Sequence, residues 1–201
     1  MHKLNRPTQL NELLEEKNSY KGTPSAQKAW EIFGENGDRT KVREQLEEIQ
    51  NYLCAYCENS LVNDGHIDHF KPKSSNWKLT FDWENLLVSC THNDSCGRKK
   101  DDNFEDYWIN PYLTDPTEMF RFYSDGQIKG NTEDAENIIK DFGLDSPRLE
   151  SKRKGILSIL VLTINALKDY PDALEAYLES EQIVIFPTAY TQIRDKTLAI
   201  L

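Results

Sequence analysis

Four cysteines constrain this chain more than anything else in it. Cys54 and Cys57 form a C-x2-C pair, Cys90 and Cys96 a C-x5-C pair, and 32 residues separate the two. Two close pairs at a module-sized distance suit a tetrahedral zinc site, because each pair sits on a tight turn that aims two thiolates at one ion. Such a site uses every cysteine and leaves the metal no open position, so this structural zinc braces the fold and cannot itself activate water. Two other readings stay open: four reduced thiols packed as small apolar groups, and a redox pair at Cys54-Ala55-Tyr56-Cys57, although no βαβ pattern surrounds it. Disulfides are disfavoured by the expected compartment. The opening residues carry no apolar stretch ahead of the acidic Asn11 to Glu16 segment, so no secretory signal is expected and a cytoplasmic location is.

Around that frame the pattern is helical. Residues Thr8 to Ser19 place Leu10, Leu13 and Leu14 at helical spacing, with Thr8 as the cap. Pro24 to Phe33 reads as a second helix, started by Thr23 with Pro24 in its first turn and stopped by Gly34. Arg39 to Leu53 continues, with Val42, Leu46, Ile49 and Leu53 on one face. Residues 54–104 change character and hold the cysteines. Beyond them Met119 to Lys129 alternates around Asp125-Gly126, a hairpin signal. Helices are then expected over Asn131 to Phe142, capped by Thr132 and ended by Gly143, and over Pro147 to Asp169, Pro171 to Ser180 and Pro187 to Leu201. The longest apolar run, Ile156 to Leu162, falls far short of the roughly 20 residues that cross a bilayer. The 201 residues suffice for a real core. The fold class expected is α+β, mainly α, with amino-terminal helices in 1–53, a zinc-bound module in 54–104, and a hairpin plus carboxyl-terminal helices in 105–201, packed as one unit.

The residues that carry chemistry lie between the cysteine pairs. Asp68 and His69 put a carboxylate beside an imidazole, a way of holding a hard divalent ion next to a general base: Asp68 would ligate Mg²⁺ and His69 would take a proton from water. Cys-x2-Cys, Ile67-Asp68-His69-Phe70-Lys71-Pro72-Lys73, Trp83-Glu84-Asn85-Leu86-Leu87 before Cys90, and Cys96-Gly97-Arg98-Lys99-Lys100 resemble the HNH endonucleases of ββα-metal fold. Within that family the chain is most similar to the PtuB group, HNH subunits of Septu antiphage systems also found with certain retrons. The resemblance covers about residues 42–104. It implies a zinc-stabilised ββα-metal core embedded in the helical body, His69 as the base that activates water, Asp68 as ligand of a catalytic Mg²⁺ or Mn²⁺, and Asn85 as the brace of the loop carrying the base. The family's last metal ligand falls at Gly97, which has no side chain to offer. His92 or Asn93, in the longer x5 loop, is expected to supply the second ligand, with His66 a weaker candidate on the same strand face as Asp68.

Charge bears on partners. The chain carries net −10, which repels a polyanion at long range, and residues 105–201 hold −7 of it. A local set of cations, Lys71, Lys73, Arg98, Lys99 and Lys100, with Lys78 nearby, is expected to position a nucleic-acid backbone without reading bases. A second run, Arg148, Lys152, Arg153 and Lys154, could face a partner or a nucleic acid. No G-x-x-x-x-G-K-[ST] is present, so the chain cannot use ATP by that motif. The resemblance implies an ABC-type ATPase subunit, PtuA-like, as partner, with DNA favoured over an RNA such as tRNA as substrate. The apolar Leu198, Ile200 and Leu201 suggest docking onto a partner or a second copy. The competing expectation is a zinc-stabilised binding module without catalysis.

Overall fold

The computed structural model describes residues 1–6, 9–61, 65–180 and 185–200. Its first part holds α1 (Asn11–Ser19), α2 (Ala26–Glu35) and α3 (Asp38–Ile49). Their ends depart from the sequence pattern for local reasons. Thr8, expected to cap α1, lies outside the described residues. α2 starts at Ala26 because the Ser25 hydroxyl accepts a hydrogen bond from the Lys28 N–H and so takes the capping role assigned to Thr23, and the helix runs through Gly34 to Glu35. α3 ends at Ile49, short of Leu53. Asn51 and Tyr52 both adopt left-handed backbone, φ 51° and 57°, which a helix cannot contain. Leu53 instead bridges Ser60 across the first cysteine turn. The α3 face through Val42 and Leu46 is buried as its spacing predicts.

The centre of the molecule is an antiparallel pair, β1 (Gly65–His69) and β2 (Leu86–Cys90), with His66 opposite Ser89 and Asp68 opposite Leu87. β2 is buried along its whole length, and both α3 and the short α4 (Cys96–Lys100) pack against it. The carboxyl-terminal part opens with the hairpin β3 (Phe120–Phe122) and β4 (Ile128–Gly130), turned at Gly126 with φ 92°. Four helices follow: α5 (Glu133–Phe142), α6 (Pro147–Leu167), α7 (Pro171–Ser180) and α8 (Pro187–Leu198). Thr132 caps α5 by accepting from the Ala135 N–H, and left-handed Gly143 closes it. Gln192 of α8 accepts from the Phe122 N–H at 3.1 Å and donates to the Phe120 carbonyl at 2.9 Å, which blocks the free edge of the hairpin. Among the described residues the fold is mainly helical with two small two-stranded sheets. No helix among the described residues is long and apolar enough to cross a membrane.

A continuous core runs from Met1 and Leu4 through the cysteines and β2 to Phe142, Leu160 and Ile193. Polar anchors fix the amino-terminal residues to β2 and the start of α8 to the cysteine turn. The Arg6 guanidinium sits 3.5 Å from the Tyr112 ring centroid and donates to the Leu86 carbonyl at 2.7 Å. Glu58, next to Cys57 and 2% exposed, accepts from the Thr188 N–H at 2.9 Å and lies 3.1 Å from the Met1 amine. Burial alone would push its carboxyl up, but the Met1 ammonium, His2 and Thr188 outweigh that and hold it at about 2. Arg153, one of the four cations of the second run, is 2% exposed and donates to the Gly126 and Leu144 carbonyls, so it ties the hairpin turn to α6 and faces no partner. Ile200 is exposed, Leu198 packs on the core, and Leu201 lies outside the described residues.

Candidate active site and metal centre

The four cysteines converge. Their sulfurs all lie within 4.8 Å of one another, every one is buried, and none is in a disulfide. The Cys90 N–H donates to the Cys54 sulfur at 3.4 Å, the contact that stabilises a thiolate. Burial and the neighbouring sulfurs push the Cys96 thiol well above its ordinary value, since four thiolates in a dry pocket repel one another. A dication removes that penalty, so the donor set fits zinc and leaves no open position.

The second site occupies the outer side of the same strand pair. Asp68 and His69 end β1, 8% and 6% exposed. His69 Nε2 lies 2.9 Å from the Thr80 carbonyl, which can only accept, so this nitrogen carries the proton and Nδ1 keeps the lone pair. Trp30 of α2 packs edge-on against the imidazole at 4.7 Å. Burial holds His69 down at about 3, with Lys73 adding repulsion, so the ring is a neutral base at neutral pH. The Asp68 carboxylate is oriented from two sides: the Tyr56 hydroxyl donates to Oδ2 at 2.5 Å, and Lys100 Nζ lies 3.5 Å from Oδ1. Asn85 accepts from the Lys71 N–H at 2.8 Å and donates to the Lys71 and Leu79 carbonyls, clamping the loop that brings Thr80 to His69.

Asp68 and His69 line a cavity of about 410 Å³ together with His66, Lys73, Asn93, Arg98, Asp101 and Asp102. The cavity contains oxygen donors of the kind Mg²⁺ and Mn²⁺ prefer, and the buried His66 Nδ1 has no hydrogen-bond partner. Among the described residues the four cysteines are the only group of three or more His, Cys, Asp and Glu side chains that gathers this closely. A divalent ion beside Asp68 would therefore take few protein ligands and complete its shell with water and substrate oxygens, the usual mode for Mg²⁺.

The sequence-derived set is partly reunited here. Asn93 lines the cavity, whereas His92 is not among its lining residues. Lys73 and Arg98 face it; Lys71 lies on the loop with its ammonium 4.7 Å from the Phe104 ring centroid, and Lys99 is exposed on α4. Lys100 departs from expectation. It is 2% exposed, and its ammonium donates to the His69 carbonyl at 2.9 Å and the Asp101 carbonyl at 3.2 Å, so it joins α4 to β1 and offers nothing to a phosphate backbone. Tyr56, Trp30 and the Thr80 carbonyl were not among the expected site residues. Tyr56 stands inside the cysteine turn and reads as core, and a backbone carbonyl leaves no mark in a side-chain pattern.

No family model matches the chain. Over 147 residues it is 31% identical to a protein of Vibrio cholerae serotype O1 biovar El Tor named as the HNH endonuclease of retron Vc95, spanning 66% of this chain and 71% of that one. It is 32% identical over 113 residues to the Septu protein PtuB of Bacillus thuringiensis, covering 50% of this chain and 43% of that protein. A third relative, named as the HNH endonuclease of retron Ec83 of Escherichia coli, is 36% identical over 75 residues, which is 32% of this chain and 27% of that one.

Proposed function

Because the chain belongs to the HNH endonuclease family, nucleases that act on phosphodiester bonds, we propose that residues 54–104 form a zinc-braced ββα-metal core that hydrolyses DNA with a second, divalent ion. The observation that carries this reading is the His69 imidazole, kept neutral by burial and fixed through Nε2 to the Thr80 carbonyl, beside Asp68 in one cavity. In this reading His69 Nδ1 takes the proton of the attacking water, worth typically 10²–10⁴-fold in rate. Asp68, with Asn93 as the second donor, would hold Mg²⁺ or Mn²⁺, which when bound neutralises charge on the phosphate and the leaving oxygen. Asn85 is a positioning residue through the loop it clamps. Lys73 and Arg98 steady the backbone from the cavity wall, with Lys71 and Lys99 farther out.

Gly97 fits this reading as well. A Cβ there would lie 3.0 Å from Asp68 Cγ and 3.1 Å from Ser89 Oγ, so glycine lets α4 close onto the carboxylate, and its N–H donates to Ser89 Oγ at 2.9 Å. A larger residue in that slot would displace the Asp68 side chain, which argues against the slot being the remnant of a lost ligand. The likeness to PtuB and the net charge of −10 support action in the cytoplasm as the effector of an antiphage complex, with an ABC-type ATPase supplying control and additional positive surface.

The test is cleavage of plasmid DNA and of a structured RNA by the purified chain, alone and with an ABC-type ATPase of the proposed kind, in Mg²⁺ or Mn²⁺. His69→Ala is expected to reduce cleavage by at least about 10²-fold while zinc content and folding stay unchanged. Cutting at the parental rate by that variant overturns the mechanism. Cleavage of RNA alone reassigns the substrate, and no cleavage by the parent under any condition leaves a binding module.

A further inference from the structure

A second concave surface adjoins the catalytic cavity. It has a volume of about 330 Å³ and lies between α2, α3 and the outer face of β1, with Trp30, Arg39, Thr40, Arg43 and His66 in its wall. His66 and Ile67 line both cavities, so β1 is the shared partition. We propose that this surface is a phosphate subsite for the nucleic-acid backbone beside the bond that is cut, an inference that rests on the nuclease reading above.

The charge of the wall is the first support. The chain carries 34 carboxylates against 24 Lys and Arg, yet among the described residues no carboxylate lines this cavity, while two arginines do. Arg39 and Arg43 are four residues apart on α3 and therefore share one face. The structure also makes room for them. The Arg39 guanidinium lies over Gly34 of α2, where an added Cβ would come 2.6 Å from Arg39 Cζ. Arg43 Nη1 donates to Glu47 at 2.8 Å, which fixes the side chain in the cavity wall. A planar guanidinium fork matches two phosphate oxygens at once, and the Thr40 hydroxyl adds a neutral donor.

Position is the second support, and it selects a polymer over a free anion. A strand rises roughly 3.3 Å per residue, so the step from His66 to Asp68 is about 7 Å, the axial reach of about two phosphates on one DNA strand. Trp30 joins the two spaces physically: it lines the arginine cavity and packs on the His69 ring. An anion held by Arg39 and Arg43 is thus a neighbour, along the same backbone, of the phosphate facing His69.

The experiment uses the full chain carrying His69→Ala, so that substrate is bound and left intact, with fluorescence anisotropy of a short labelled DNA duplex and of an RNA of equal length across a salt titration. Adding Arg39→Gln and Arg43→Gln is expected to raise Kd about tenfold and to lower the slope of log K against log salt by about one to two. Thr40→Glu, which keeps both arginines and places a carboxylate in the wall, is expected to weaken binding at least as much. Lys152→Gln with Lys154→Gln removes the same charge from the exposed face of α6 and is expected to do less. Unchanged Kd and slope in both cavity variants, or an equal loss in the α6 control, overturns the subsite. If the parent binds neither DNA nor RNA, the nuclease reading falls and takes the subsite with it; if the parent binds and cuts while the cavity variants bind as it does, the subsite alone falls.

Discussion

The four-thiol cluster and the Asp68–His69 cavity both border the β1–β2 pair, through Cys90 in one case and Asp68 and His69 in the other, and follow opposite rules. The sulfurs are buried, mutually within 4.8 Å, and need only one ion to be complete. The cavity keeps about 410 Å³ of open space, a single well-oriented carboxylate, and a histidine nitrogen with no hydrogen-bond partner. Closed geometry suits a brace, and an incomplete one suits a site that a substrate must finish. The two are joined by Tyr56, which stands between Cys54 and Cys57 and donates to Asp68. The rigid site therefore sets the aim of the open one, which is how a reactive side chain is held to a fraction of an ångström without enclosing it.

Removing the brace should have the largest effect. A structural zinc contributes on the order of 10–16 kcal/mol of apparent binding free energy at neutral pH in small zinc modules, comparable to or above the 5–15 kcal/mol of a whole domain. Cys90→Ser, or exhaustive chelation, is expected to abolish bound zinc and cooperative unfolding together, read by elemental analysis and circular dichroism. A variant that binds no zinc yet melts like the parent would break the comparison, because the thiols would then be ordinary core.

Cutting the link between the two sites should do less and do it selectively. Tyr56→Phe keeps the ring that packs on Phe142 at 4.7 Å and removes only the hydroxyl on Asp68. Partners of metal ligands typically change affinity by about 10- to 100-fold. The expected result is about a tenfold rise in the Mn²⁺ concentration needed for binding, followed by electron paramagnetic resonance, with zinc content and melting unchanged. Identical Mn²⁺ binding would mean that the cysteine turn supports the strands without aiming Asp68.

These contrasts mark what a sequence can and cannot display. The cysteine pairs, the Asp125-Gly126 turn, the Thr132 cap and the Gly143 stop are local signals, each made by residues a few positions apart, and the structure puts each element where its residues point. The Asp68-His69 dipeptide and Asn85 are equally local, and what the structure adds is their surroundings: one cavity for the first two and a clamped loop for the third. The expectations that moved depended on distant partners. α3 stops early because Tyr52 N–H turns back to the Glu47 carbonyl and its carbonyl accepts from Leu61. Lys100 reads as one more cation in a solvated run, and only the packing of α4 on β2 reveals that it is inside. Arg39 and Arg43 carry no signal of their own in the sequence, because periodicity identifies the buried face of α3 and says nothing about what its other face overlooks.

The smallest effect concerns pH, and it separates the two sites by which of them fails first. Burial holds His69 at about 3, below its unfolded value near 6.5. As pH falls between those values the unfolded chain takes a proton that the folded imidazole refuses, so stability declines toward acid by up to about 1.4 kcal/mol per pH unit, and above pH 6.5 this contribution vanishes. His69→Asn is expected to soften that decline in a pH series of urea melts. For catalysis the sign is reversed in consequence: the base stays free well below neutrality, so kcat/KM should show no acid limb centred between pH 6 and 7. Activity is instead expected to fall at lower pH together with zinc, as protons compete for the thiolates. An acid limb near 6.5 with zinc still bound and the fold intact would mean that His69 titrates as an exposed imidazole, and the open site would then owe nothing to the burial that distinguishes it.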